Sequence, residues 1–190
     1  DMRLFNEAIN VFNATEMKEA PLNHLPIESF NAHIERLESL KGHLKDVHIF
    51  PKSSRPNILF IEDEKSIIDV YQSLIEDKPF YSIFSQNLTE SRQILKTKPI
   101  DIIVLDLGLP DGHGRDLLDE IYKSNCTNHQ LPDVIIISSY YEKDTVVSII
   151  NAGAKIFINK PMASKKFISV IYQISFLRYM RHELKIKKLD

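Results

Sequence analysis

The sequence lacks the features that mark secreted, membrane-spanning or fibrous proteins. Its 190 residues contain a single cysteine, Cys126, so an internal disulfide bond is impossible. No uninterrupted apolar run approaches the roughly 20 residues of a transmembrane helix. Charges in Asp1-Met2-Arg3 stand where a secretory signal would be apolar. With 5 glycines and 9 prolines, the composition is neither fibrous nor disordered. We therefore expect a globular protein without a membrane partner, located in the reducing cytoplasm.

The sequence also lacks the excess of positive charge that nucleic-acid binding requires. The formal net charge is −2. From Lys160 onward eight lysines and arginines face two acids, which gives +6 and leaves −8 for residues 1–159. No zinc-finger spacing and no basic stripe with interleaved aromatic residues is present. An acidic body repels phosphates, so we expect no direct binding of nucleic acid by this chain.

From Asn57 onward, short apolar runs alternate with longer stretches of helical periodicity. Runs rich in Ile and Val, apolar on both faces, are typical of parallel strands that helices cover on both sides. Five such runs predict strands at residues 58–61, 81–84, 102–105, 134–137 and 155–158. The intervening stretches predict helices at residues 65–77, 87–98, 114–124 and 142–151, with a fifth helix from Ala163. We predict a doubly wound α/β fold, flavodoxin-like, with a five-stranded parallel sheet in the order 2-1-3-4-5.

The remaining residues predict a helical extension and a linker. Residues 1–50 contain no strand pattern and indicate two helices, of which the second carries a heptad-like apolar stripe from Ile27 to Leu44. We predict that this extension mediates dimerisation or docks onto the α/β domain. Residues 51–56 have the composition of a linker, the α/β domain is predicted at residues 57–177, and residues 178–190 are predicted to form a basic helical tail.

Polar residues follow four of the predicted strands, where a doubly wound sheet carries its binding site. They are Glu62 and Asp63 after the first strand, Asp106 after the third, Ser138 at the end of the fourth, and Lys160 after the fifth. Clustered carboxylates favour a hard cation such as Mg²⁺, which also binds phosphate oxygens. An aspartate nucleophile beside a metal and a lysine suits phosphoryl transfer.

These features together resemble the receiver domain of two-component response regulators, over about residues 56–177. Glu62-Asp63 is similar to the acidic pair of that family, and Asp106, followed by Pro110-Asp111-Gly112, is similar to its phosphoacceptor aspartate. Ser138 falls at the hydroxyl position that contacts the phosphoryl group. Phe157 falls at the aromatic switch position, and Lys160-Pro161 is similar to the family's lysine and cis-bonded proline.

The resemblance implies a phosphorylation-controlled switch. A sensor histidine kinase or histidine phosphotransfer protein would donate the phosphoryl group to Asp106. Asp63, Asp106 and the carbonyl of Gly108 would hold Mg²⁺, with Glu62 acting through water. Lys160 would pair with the phosphoryl group, and Ser138 and Phe157 would shift the surface formed by the fourth helix, fifth strand and fifth helix.

Two alternatives compete with the switch. A signalling scaffold of the same fold could act through its helical extension without being phosphorylated, although the intact acidic pocket argues against it. An aspartate-nucleophile phosphatase needs a second acid two residues after the nucleophile, where this chain has Gly108. We therefore expect a phosphoacceptor with at most self-dephosphorylation rather than an enzyme. The apolar stripe of the helical extension would also support a homodimer.

Overall fold

Five short apolar strands pair in parallel in this computed structural model, which describes residues 55–123, 131–139 and 142–186. The strands are β1 (Asn57–Ile61), β2 (Tyr81–Ser85), β3 (Ile102–Leu105), β4 (Asp133–Ser138) and β5 (Ile156–Asn159). Their order across the sheet is β2-β1-β3-β4-β5. The predicted doubly wound, flavodoxin-like α/β fold is therefore confirmed for this part of the chain.

Five helices alternate with the strands and begin and end within two residues of their predicted limits wherever both limits were predicted. They are α1 (Lys65–Ile75), α2 (Leu88–Thr97), α3 (Gly114–Lys123), α4 (Lys143–Asn151) and α5 (Ser164–Ile186). Gly153, with φ of +116°, follows the end of α4 in a conformation that favours glycine. Helix α5 runs on past Leu177 without interruption.

The alternation of side chains along each strand divides the core between the two faces of the sheet. On one face Phe60 of β1 packs with residues of α1 and α5, including Tyr71 and Phe167. On the other face Leu59 of β1 packs with residues of α2, α3 and α4, including Leu117 and Ile149. Both faces are covered, which explains why the strand sequences are apolar without interruption.

A short antiparallel ribbon, which the sequence analysis did not predict, connects β3 to α3. Gly108–Leu109 pairs with Gly112–His113. At its turn the Asp111 carboxylate accepts hydrogen bonds from the backbone N–H groups of Leu88 and Thr89 at 2.8 Å each, and from the Thr89 hydroxyl at 2.7 Å. Asp111 therefore caps the N-terminus of α2 from a distant loop and fixes the segment that follows β3.

An ion-pair cluster lies at the opposite edge of the sheet, where the strands begin. Asp133 of β4 is 2% exposed, and its Oδ2 lies 2.6 Å from Nη2 of Arg181 and 3.5 Å from Nη1 of Arg178. Arg178 also donates from Nε to Asp101 at 3.1 Å, and Asp101 accepts a hydrogen bond from the backbone N–H of Asn57. The C-terminal half of α5 is thus anchored to the entry points of β1, β3 and β4.

Some sequence predictions lie outside the described residues. They include the two-helix extension at residues 1–50 and most of the linker at residues 51–56, and the limits of the predicted domains remain predictions. Among the helices that the structure does describe, none is both long and apolar enough to cross a membrane.

Candidate functional site

Asp106 stands at the carboxyl end of β3, between the ends of β1 and β4. Its backbone N–H donates to the carbonyl of Ile61 at 3.0 Å, which extends the pairing of β1 and β3 by one residue. Its Oδ1 accepts a hydrogen bond from the backbone N–H of Gly108 at 3.2 Å, and its side chain is 12% exposed. The carboxylate is therefore held in place while part of it still faces solvent.

Lys160 reaches this carboxylate from the end of β5. Its Nζ lies 2.5 Å from Oδ2 of Asp106 and 2.7 Å from Oε2 of Glu62. Its backbone N–H donates to the carbonyl of Ser138 at 2.9 Å, and a cis peptide bond joins it to Pro161. Burial lowers the pKa of Lys160, but the hydrogen bonds to Asp106 and Glu62 outweigh it, so the net shift is upward. Lys160 is a fixed cation at neutral pH.

Glu62 is the most deeply buried acid of the site, at 2% exposed. Burial raises the pKa of this carboxyl, although the ammonium group of Lys160 opposes the shift. Its Oε2 is paired with Lys160, whereas its buried Oε1 has no hydrogen-bond partner among the residues that the structure describes. An unpartnered buried carboxylate oxygen is costly, so this atom favours a cation or a water molecule beside it.

Three carboxylates meet at the end of the sheet and form a donor set for a divalent cation. One carboxylate oxygen each from Glu62, Asp63 and Asp106 lies within 4.8 Å of the other two. Asp63 is exposed and Asp106 is partly exposed, so the set opens to solvent. Carboxylate oxygens with room for water suit Mg²⁺, and the unpartnered Oε1 of Glu62 fits such an ion or its hydration shell.

Two further predicted site residues, Ser138 and Phe157, occupy neighbouring strands. Ser138 is the last residue of β4, is 3% exposed and lies opposite Asn159 of β5. Phe157 of β5 is partly buried and packs against the core beneath α2, α3 and α4. Gly108 is exposed, and a Cβ there would meet nothing within 4 Å, so side chains leave its surroundings open. The roles assigned to these three residues remain predictions.

Sequence reasoning missed two parts of the site. It placed Glu62 beside a metal but not in direct contact with Lys160, because the partner of a long side chain cannot be deduced from its position in the sequence. It also did not foresee the close packing at Gly114, where a Cβ would collide with the backbone carbonyl of Asp106. Helix α3 therefore begins directly against the backbone of Asp106.

The comparisons with known proteins agree with this geometry. A family model described as the response regulator receiver domain matches residues 58–172. The chain belongs to this family. Receiver domains are components of two-component signalling, where they respond to phosphorylation as phosphoacceptors and bind Mg²⁺ at an acidic pocket. The resemblance inferred from the sequence is thus confirmed.

Individual relatives of this receiver domain give the same result. The response regulator protein PilR of Pseudomonas aeruginosa is 30% identical over 109 residues, which cover 57% of this chain but 24% of PilR. The chain therefore spans only a part of such relatives. The signal receiver domain of a LuxO-type repressor from Vibrio parahaemolyticus superposes with a TM-score of 0.64 at 25% identity, covering 68% of this chain and 97% of that domain. The beryllofluoride-activated NtrC4 receiver domain, solved as a dimer, gives 0.58 at 27% identity, covering 64% and 98%.

Proposed function

We propose that Asp106 accepts a phosphoryl group from a phosphohistidine on a sensor histidine kinase or a histidine phosphotransfer protein. The observation that carries this proposal is the position of the Asp106 carboxylate, with Lys160 at 2.5 Å on one side and two further acids within reach of a shared cation on the other. Negative charge that enters this pocket on a phosphoryl group would meet a fixed cation.

The transfer needs little covalent chemistry from the protein. An oxygen of Asp106 forms a bond to phosphorus while the bond from phosphorus to the donor's imidazole nitrogen breaks. The electron pair of that bond remains on the imidazole, which then takes up a proton. Lys160 supplies positive charge to the phosphoryl oxygens, and the hydrogen bond from Gly108 holds the attacking carboxylate in position.

The acidic residues would hold the magnesium ion that accompanies the transfer. We assign Asp63, Asp106 and the carbonyl of Gly108 as its ligands, with Glu62 acting through a water molecule. When bound, Mg²⁺ offsets the negative charge on the phosphoryl group. Burial raises the pKa of Glu62, and a cation bound nearby would favour the charged form of this carboxyl.

We assign the response to phosphorylation to Ser138 and Phe157. A phosphoryl group on Asp106 adds negative charge and acceptor oxygens, and the Ser138 hydroxyl moves to donate to one of them. Phe157 then turns into the space that is released, and the surface formed by α4, β5 and α5 changes its population of conformations.

Further proposals concern the helical extension, the cellular location and the binding partners of the protein. The helical extension at residues 1–50 would mediate dimerisation or docking, and the NtrC4 receiver dimer shows that related domains associate. We place the protein in the cytoplasm, with no membrane contact and no enzymatic activity beyond self-dephosphorylation. The absence of direct nucleic-acid binding remains a prediction from the acidic charge of residues 1–159.

The proposal is tested by intact-mass measurement after incubation of the full chain with acetyl phosphate and Mg²⁺. We expect one phosphoryl adduct, which EDTA and the substitution Asp106→Asn both prevent. Asp77→Asn is the matched control, because Asp77 is an exposed aspartate before β2, at the opposite edge of the sheet. The absence of any adduct on the wild type would contradict the proposal and favour the scaffold that works without phosphorylation.

A further inference from the structure

Helix α4 is weakly anchored to the sheet. Of its nine residues, Ile149 is the one that is fully buried, whereas α3 buries four of its ten. Its N-cap residue, Glu142, makes no capping hydrogen bond from its side chain. Val147 of α4 is 52% exposed and lines a groove of about 620 Å³ between α3 and α4. A helix with so little buried surface is displaced at low cost.

Arg115 of α3 connects helix α4 to the segment that carries Asp106. It follows Gly114, whose backbone N–H donates to the carbonyl of Leu107 at 2.8 Å and whose backbone lies against that of Asp106. The backbone N–H of Arg115 donates to Nδ1 of His113 in the ribbon at 3.2 Å. The start of α3 is therefore fixed to the phosphoacceptor loop, and Arg115 projects from this fixed point.

The guanidinium group of Arg115 bridges the groove. Its Nε donates to Oδ1 of Asp119, one turn along α3, at 2.9 Å, which orients the planar group. Its Nη1 donates to the hydroxyl of Ser148 in α4 at 2.7 Å. This second bond joins a residue adjacent to the phosphoacceptor loop to the middle of the weakly anchored helix.

We propose that the hydrogen bond between Arg115 and Ser148 holds α4 in its resting position, and that its strength sets the cost of moving α4 when Asp106 is phosphorylated. This inference rests on the proposed phosphoacceptor function. Arg115 and Ser148 are positioning residues, because neither contacts the acidic cluster. A bond that stabilises only the resting position opposes activation by its own free energy.

Thermodynamic linkage gives the expected size of the effect. This solvent-exposed, charge-assisted hydrogen bond contributes about a three- to ten-fold change in an equilibrium constant. Its loss should raise the affinity of the protein for beryllofluoride, which mimics the phosphoryl group, by up to that factor. Its loss should also raise the hydrogen-exchange rates of α4 amides in the unliganded protein by about three- to ten-fold.

The test uses the full chain with Mg²⁺ and beryllofluoride as the probe. Fluorine NMR measures the affinity, and hydrogen exchange with mass spectrometry measures the opening of α4. The test variants are Ser148→Ala, Arg115→Met and the double variant. Ser148→Thr should behave like the wild type because it retains the hydroxyl. Arg92→Met is the matched control, since Arg92 forms a similar bridge to Glu120 but joins α2 to α3.

The inference predicts tighter beryllofluoride binding in both single variants, no further gain in the double variant, and wild-type values for Arg92→Met. Equal affinity in the wild type and all variants would overturn the coupling and leave the phosphoacceptor proposal intact. Additive effects in the double variant would also overturn it, because two residues acting through one bond cannot be additive. If the wild type binds no beryllofluoride, the phosphoacceptor proposal fails and the coupling fails with it.

Discussion

The ammonium group of Lys160 lies 2.7 Å from Oε2 of Glu62, a carboxylate that is 2% exposed. The same ammonium group lies 2.5 Å from Asp106. One lysine therefore serves two acids before any phosphoryl group or metal ion is bound. Because the pocket holds more negative than positive charge, a cation that binds there should also stabilise the folded protein.

We predict that Lys160→Met destabilises the protein at neutral pH. The substitution leaves Glu62 and Asp106 without their shared cation, and the free energy of unfolding should fall by about 2 kcal/mol. Urea unfolding without metal measures the loss, which should become smaller in Mg²⁺ because the ion replaces part of the missing charge. Lys155→Met removes an exposed lysine and is the control. Equal stability of the Lys160 variant and the wild type would contradict the account.

Glu62→Gln should have the opposite effect on stability. Burial raises the pKa of Glu62 above its ordinary value of 4.5 in the folded state. The folded protein therefore binds this proton more tightly, and the resulting stabilisation is complete below pH 4.5 and is lost as the pH rises through the folded pKa. In metal-free buffer the variant should be more stable than the wild type at pH 7 and equal to it near pH 4. Urea titrations at both pH values measure this, and a less stable variant at pH 7 would refute it.

The sequence was sufficient to predict the sheet and the three acids and the lysine that the structure brings together at its edge. Uninterrupted apolar runs such as Ile102–Leu105 are typical of parallel strands that helices cover on both sides. The strand order then places Asp106 and Lys160 at the same edge of the sheet. The partners of long side chains could not be predicted. Arg178 and Arg181 were predicted only as part of a basic helical tail, whereas they anchor α5 to the buried Asp133.

The capping role of Asp111 was missed for a similar reason. Asp111 belongs to a turn in the sequence, and its partners at the start of α2 lie 22 and 23 residues earlier. Nothing in the local pattern distinguishes a turn aspartate from one that caps a distant helix. Pairings of this kind depend on how loops meet in three dimensions.

Asp111→Ala should destabilise the protein and loosen the ribbon that follows Asp106. The hydrogen bonds from Leu88 and Thr89 lower the pKa of Asp111, so its contribution is present above pH 3.8 and is lost as the pH falls through the lower folded pKa. We expect a lower urea midpoint for the variant at pH 7 and a smaller difference between variant and wild type in acid, where the protonated carboxyl keeps only part of its capacity to accept hydrogen bonds. Asp111→Asn retains one acceptor oxygen and should fall between them. A variant as stable as the wild type at pH 7 would exclude the cap.

Asp133→Asn should release the C-terminal half of α5. The change leaves Arg178 and Arg181 without the buried carboxylate that they share, and we expect a loss of about 2 kcal/mol in the free energy of unfolding. Hydrogen exchange should rise in the later turns of α5 before it rises in β4. Faster exchange spread evenly over the whole domain would argue against a local anchor.

The identity of the phosphorylated residue tests the central claim most directly. An acyl phosphate on an aspartate is reduced by borohydride to homoserine, which peptide mass spectrometry locates. After treatment of the full chain with acetyl phosphate and Mg²⁺, we predict homoserine at position 106 and at no other aspartate. Homoserine at Asp63 or at any other acid, or none in the wild type, would contradict the assignment of Asp106 as the phosphoacceptor.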